Sequence, residues 1–213
     1  SNLSKDEIIS KAFQYHLQGN IAEASKYYQF FINQGFKDHR IFLNSGEILK
    51  DLGRLEEAEI WIRRAISLKP DYTIAHNNLG NILRAKNKLK EAESCYFEAI
   101  ALNPDFTKAY YNLSTLTSTD ENKIWQKKLF SESFLTNKSK NDQFNIFFAR
   151  ANILHKRKNY KESAKCLKLA NQLKILIHPS NSESLIKKSK LLLIESNKVT
   201  LNLKKQNNLQ SIF

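Results

Sequence analysis

Three asparagines recur at a fixed interval in this 213-residue chain: Asn44, Asn78 and Asn112, each 34 residues from the next. A primary amide carries two N–H donors and a carbonyl acceptor, so one asparagine can pair with both polar groups of an extended peptide backbone. A row of them at constant period offers that pairing repeatedly. Arg40, Asn77, Asn81, Arg84, Lys108 and Tyr111 stand near them and supply the charge, amide and ring that would choose side chains. This is chemistry of recognition. Catalytic residue types are scattered: His16, His39, His76, His155 and His178 include none paired with a cysteine or acid at ligand spacing. No nucleophile motif is visible. The last of the five glycines is Gly80, so no glycine-rich phosphate loop is expected beyond it. No catalytic residue, metal site or cofactor is expected.

The elements that hold the asparagines must repeat with them. Thr73–Phe106 places Leu79, Ile82, Leu83, Leu89 and Tyr96 at helical spacing, an apolar stripe. Gly80 and Ala92 are small where two helices would cross closely. Asn87 falls at the turn between them, and Pro104 stops the second helix because it lacks an amide donor. With Ala99, these positions follow the pattern of a tetratricopeptide (TPR) repeat, which this segment resembles although His76 stands where the usual Trp would be. His39–Tyr72 repeats the pattern through Gly46, Ala58, Ala65 and Pro70, with Leu52-Gly53 at the turn and Leu55, Trp61, Ile62 and Leu68 as packing residues. Lys5–Asp38 repeats it through Ala12, Gly19, Ile21, Ala24 and Tyr28, with Phe31 and Phe36 replacing the usual Ala and Pro. The resemblance implies an all-α, right-handed TPR-type α-solenoid of antiparallel helix pairs with C-terminal capping helices. Stacked repeats of this kind share one continuous core.

Residues 5–117 form the regular part, with a fourth repeat starting at Thr107 through Ala109, Tyr110, Leu113 and Ser114. The pattern then fails over 118–142. Ser118-Thr119-Asp120 reads as a helix N-cap. Asn122–Leu135 reads as a helix with Ile124, Trp125, Leu129, Phe130 and Phe134 on its apolar face, and Thr136–Asp142 as a loose connection. A TPR-like unit returns over 143–178. Its first helix carries Phe147, Phe148, Ala151, Ile153 and Leu154, its turn Lys158-Asn159, and its second helix Tyr160, Ser163, Leu167, Ala170 and Leu173. Residues 182–213 read as a basic helix and tail. Cys95 and Cys166 share one position in the second helices of two units. They read as small buried hydrophobes in a reducing, cytoplasmic setting.

The first helices of a TPR superhelix line its concave face, so the resemblance puts Asn44, Asn78 and Asn112 in the groove. They resemble the asparagine ladder in the TPR region of O-linked N-acetylglucosamine transferase. That likeness implies backbone contacts to an extended peptide. Replacing all three by alanine is then expected to weaken peptide binding and leave helical content intact. The carboxylate clamp of chaperone-binding TPR proteins is matched by Asn78 and Lys108, but Leu43 stands where that clamp needs lysine.

Charge is unevenly placed. Up to Thr117, 15 Lys and Arg face 14 Asp and Glu; from Ser118 onward, 19 face 7. Lys156-Arg157-Lys158, Lys187-Lys188-Ser189-Lys190 and Lys204-Lys205 could attract nucleic acid. Only Arg150 and Arg157 among the later cations have the forked geometry suited to phosphate. No apolar run approaches the roughly 20 residues of a membrane span. Phe147–Leu176, ending in Ala170-Asn171-Gln172-Leu173-Lys174, also resembles the last TPR unit of bacterial TPR–sulfotransferase proteins. That resemblance implies the non-catalytic N-terminal region of a larger enzyme, able to dock on a further C-terminal domain. The expected function is a protein-interaction scaffold that binds an extended peptide or partner protein. The alternatives are the sulfotransferase arm and nucleic-acid binding through the basic part.

Overall fold

The computed structural model describes residues 3–116 and 123–177. Three helix pairs come first: α1 (Lys5–Leu17) with α2 (Ile21–Asn33), α3 (His39–Asp51) with α4 (Leu55–Leu68), and α5 (Thr73–Ala85) with α6 (Leu89–Leu102). Ser4 and Glu7 cap α1 reciprocally, each side chain reaching the other's backbone N–H. The turn inside each pair needs one left-handed residue, and it recurs with the repeat: Gly19 at φ 73°, Gly53 at φ 77° and Asn87 at φ 59°. Asparagine tolerates this region better than most residues. Lys158, at φ 62°, plays the same part later without that advantage.

Close approach is real where the small residues predicted it. A methyl on Gly80 would lie 2.5 Å from the Tyr96 ring, and one on Gly46 would lie 2.6 Å from Ile62 Cδ1. Ala58, Ala65, Ala92 and Ala99 are fully buried on the facing helices. The buried apolar residues form two clusters that meet in α3. One runs from α1 to Ile41 and Ile48. The other begins at Phe42 and Leu43 and continues to Ile153.

The fourth unit departs from the pattern. Its first helix, α7 (Thr107–Leu116), is followed by the short α8 (Lys123–Phe130) and a 3₁₀ turn at Glu132–Phe134. Trp125, Leu129 and Phe134 enter the core, where Phe134 lies 4.9 Å and Trp125 6.1 Å from the Tyr110 ring. Ile124, expected beside them, is 79% exposed. The buried stripe of α8 runs instead through Trp125, Gln126 and Leu129, and Ile124 lies off it. The connection is also shorter than expected: Ser139 caps α9 (Lys140–Lys156). The long α9 packs directly on α7, and α10 (Tyr160–Ile177) pairs with α9. Of α10 only Ser163 and Ala170 are buried, while Tyr160 and Leu167, expected in the packing stripe, are largely exposed.

Arg150 explains how the broken unit is held. It is 6% exposed, on α9. Its Nε donates to the Leu129 carbonyl at 2.7 Å and a terminal nitrogen donates to the Ser131 carbonyl at 2.8 Å. The Leu129 carbonyl, in the last turn of α8, has no continuing helix to satisfy it, and the Ser131 carbonyl also accepts from the Phe134 N–H of the 3₁₀ turn at 3.2 Å. Ser163 donates to the Ala151 carbonyl at 2.9 Å. The N-cap expected at 118–120 and the helix and tail expected over 182–213 lie outside the described residues.

Candidate functional site

The first helices α3, α5, α7 and α9 stand side by side, and polar side chains stitch three of them into one surface. Asn78 on α5 donates to Glu47 of α3 at 2.5 Å. Asn112 on α7 donates to Asn77 of α5 at 2.9 Å. Arg84 on α5 donates to the Thr115 hydroxyl of α7 at 3.0 Å. The period-34 register thus does two jobs: it places the asparagines in a row, and it brings each within reach of the neighbouring repeat.

The three asparagines are not equivalent. Asn44 is half-buried and donates to the Tyr28 hydroxyl at 3.1 Å, which also meets His16 Nδ1 at 2.9 Å. Asn78 is half-buried and faces the same surface. Asn112 is 7% exposed and its partner Asn77 3%. This buried amide pair lies in the seam between α5 and α7, beneath the surface that a ligand would touch. Asn81 is half-buried and accepts from the Tyr96 hydroxyl at 2.9 Å. Burial raises that phenol to about 12, so it remains a donor at any physiological pH.

The cations differ as well. Arg40 is exposed but tied to Asp38, with bonds of 3.1 and 2.8 Å, and it lies over the Phe13 ring. Its charge is therefore already balanced. Lys108 is exposed. Tyr111 is half-buried beside Phe144 and Phe148 on α9, at ring-centroid distances of 6.4 and 5.6 Å. That aromatic cluster was not anticipated, because it depends on α9 packing directly on α7.

Other candidates resolve into structural roles. His76 Nε2 contacts the Pro70 carbonyl at 2.8 Å and joins a helix start to the preceding turn. Lys156 donates to the Ser114 carbonyl at 3.0 Å, and Arg157 donates to Gln126. Much of the 156–158 cluster is thus engaged within the fold. The later lysine clusters lie outside the described residues. Cys95 is half-buried, and burial pushes its thiol up to about 11, which disfavours the reactive thiolate. Among the described residues no group of His, Cys, Asp or Glu could hold a metal ion. No described helix is long and apolar enough to cross a membrane.

Stacked helix pairs with a 34-residue period and a continuous row of first helices define an all-α solenoid of the TPR type. Residues 39–72 and 73–106 each match a family model described as the tetratricopeptide repeat, so the chain carries TPR repeats. Neither match reaches the 143–178 unit on which the sulfotransferase resemblance rests. None of the curated proteins matches the chain. Among solved structures it is similar to a tetratricopeptide repeat protein from Parabacteroides merdae, with TM-score 0.60 and 20% identity over 83% of this chain and 67% of that one. It is also similar to YrrB, described as a TPR protein with an unusual peptide-binding site, with TM-score 0.51 and 17% identity over 78% of this chain and 75% of that one. A third is an O-GlcNAc transferase mutant of Thermobaculum terrenum, with TM-score 0.51 and 16% identity over 71% of this chain. The chain spans only 26% of that enzyme's length. At these identities the likeness is one of fold.

Proposed function

We propose that this chain is a protein-interaction scaffold that holds an extended segment of a partner protein across α3, α5 and α7. The observation that carries the reading is the alignment of Asn44, Asn78 and Asn81, half-exposed on adjacent first helices of matching register. Asn44 uses one N–H internally and Asn78 one N–H toward Glu47. The Asn44 side-chain carbonyl has no hydrogen bond among the described residues. Donors and acceptors are therefore available for a peptide backbone. Arg84 and Lys108 would favour a partner segment that carries acidic residues along α5 and α7, with Arg40 and Tyr111 at the margins. Asn77 and Asn112 support this surface from beneath. The peptide-binding site reported for YrrB, on the same fold, is consistent with the reading.

The test separates contact from support. Linear peptides are selected from a displayed random library on the wild-type protein, and their affinities are measured by calorimetry. Asn44→Ala with Asn78→Ala should weaken binding about tenfold or more, as expected when two hydrogen bonds worth about 1 kcal/mol each are lost, with the circular-dichroism spectrum unchanged. Undiminished affinity, or a library that yields no binder, would refute the proposal.

A further inference from the structure

One inter-repeat seam is built differently from its neighbour. Between the second and third pairs, Lys86 reaches from the end of α5 to Glu59 on α4 at 2.8 Å and to Glu56 at 3.5 Å. The Lys86 ammonium holds the Glu59 carboxyl below the usual glutamate range. Thirty-four residues earlier the same three places are held by Leu52, Ser25 and Ala22. None can make that ionic bridge. Leu52 instead lies 66% exposed, and Ile21 is 42% exposed.

The seam stays open where the bridge is missing. A cleft of about 680 Å³ lies between the end of α1, the start of α2 and the end of α3, walled by Ile21, Ala22, Ser25, Ile48 and Leu52. A second chamber of about 100 Å³ shares Ser25, Ile48 and Leu52 with it. Ser45 lines that chamber at the position that Leu79 and Leu113 fill in the next repeats, both of them buried. Ser45 is itself 8% exposed, and its hydroxyl has no hydrogen-bond partner. Buried hydroxyls are rarely left unpaired without a reason. The two buried apolar clusters also meet here, in α3. One seam therefore combines an absent ion pair, exposed aliphatic walls, a leucine replaced by serine and an orphan donor.

We propose that this cleft is the anchor pocket for the bound segment, receiving one bulky apolar side chain with a polar tip, tyrosine being the best fit. The volume lies in the range of ordinary ligand pockets. The apolar walls would hold the ring, and the unpaired Ser45 hydroxyl lies in the adjoining chamber, across the shared Ser25, Ile48 and Leu52, where the polar tip of a tyrosine would have to reach. The mouth fixes the kind of occupant. Glu47 lines it, and the Glu47 carboxylate is the group that Asn78 donates to. A segment lying along Asn44 and Asn78 would pass Glu47 at the edge of the cleft, so the anchor would arrive attached to a peptide backbone. The inference rests on the scaffold reading above and adds what that partner must carry.

The sequence of the neighbouring seam supplies the test. Ser25→Glu with Leu52→Lys installs the Glu59–Lys86 pair in the first seam and closes the cleft. The variant should melt at or above the wild-type temperature, which guards against a folding artefact. Library peptides selected on the wild type should share one bulky apolar residue at a fixed place. They should bind the closed variant at least about tenfold more weakly, the least expected from losing a buried aromatic side chain. Equal affinity for both proteins overturns the pocket and leaves the scaffold reading standing. Retained affinity in the Asn44→Ala, Asn78→Ala protein overturns the scaffold reading instead. A second arm needs no peptide: p-cresol, a mimic of the tyrosine side chain, is titrated while the isoleucine methyl resonances are followed. Shifts at Ile21 and Ile48 in the wild type that disappear in the closed variant, with Ile82 unmoved in both, are expected. Absent shifts, or shifts equal in the two proteins, refute the pocket.

Discussion

Replacing Gly80 by alanine sets two effects of known sign against each other. A glycine inside a helix is less favourable than alanine by about 1 kcal/mol, so propensity alone predicts a stabilised protein. Geometry predicts the reverse. The added methyl would lie 2.5 Å from Tyr96 Cε1, 2.7 Å from Cδ1 and 3.0 Å from Cζ. The ring cannot swing aside: it is fully buried, and its hydroxyl is fixed on Asn81 at 2.9 Å. α5 and α6 must therefore separate, and overpacking of this kind costs about 1–3 kcal/mol. The net expectation is a loss of about 1–2 kcal/mol, or several degrees in Tm for a chain of this size. Gly46→Ala is the internal control. Its methyl meets Ile62 Cδ1 and Cγ1 at 2.6 and 2.7 Å, an aliphatic end that can change rotamer, so its loss should be smaller. Thermal unfolding followed by circular dichroism reads both. Adding Tyr96→Leu to Gly80→Ala should cost less than Tyr96→Leu costs in the wild type, since removing the ring also relieves the clash. A Gly80→Ala protein that melts at or above the wild type would refute the close-crossing argument.

Arg150→Met should lower stability by about 3 kcal/mol, because two charge-assisted hydrogen bonds to the Leu129 and Ser131 carbonyls are lost; Arg150→Lys should not restore it, since an ammonium lacks the planar fork. Chemical denaturation checks this, and full rescue by lysine would refute it. Asn112→Ala should cost about 1–2 kcal/mol by leaving the buried Asn77 carbonyl unpaired, whereas Asn44→Ala, at a half-exposed site, should cost less in the same assay. Equal costs would contradict the assignment of Asn112 to the seam. Glu59 gives a pH signature. Its folded pKa is depressed by Lys86, so its contribution is present above the unfolded value of about 4.3 and lost as the pH falls through the lower folded value. The gap in Tm between wild type and Glu59→Gln should be full at neutral pH and close on acidification below that range. A gap that does not change with pH would show that the pair does not stabilise the fold.

The part of the architecture that was legible in the sequence is the part that repeats. Gly46 and Gly80 announce close helix crossings because only a missing side chain fits there, and Gly53 and Asn87 announce the turns because the backbone needs a left-handed residue. Such constraints are local to one pair and survive a reading of 34 residues at a time. The fourth unit was harder. Whether Ile124 or Trp125 faces inward depends on how the short α8 lies against Tyr110, and nothing in the segment's own periodicity decides that. Arg150 read only as one of two forked cations; its work is to satisfy the Leu129 carbonyl, which has no helical continuation at the end of α8. Asn112 was misread in depth for a related reason. Register gave its direction along the row, but its burial comes from Asn77, a residue of another repeat.

The same logic locates function in a repeat protein. Positions that obey the register hold the solenoid together, so departures from it mark places where something else is required. Leu52 in place of a lysine, Ser25 in place of a glutamate and Ser45 in place of a leucine are each unremarkable alone. Together they remove an ion pair, open a cleft and leave one hydroxyl unpaired, all at the seam that faces the exposed asparagines. A purely structural seam would gain from closing: the Glu59–Lys86 arrangement next door shows that this backbone accommodates the bridge. If installing it costs no stability and abolishes peptide binding, the open seam exists for a ligand. If it changes neither, the three departures are tolerated drift.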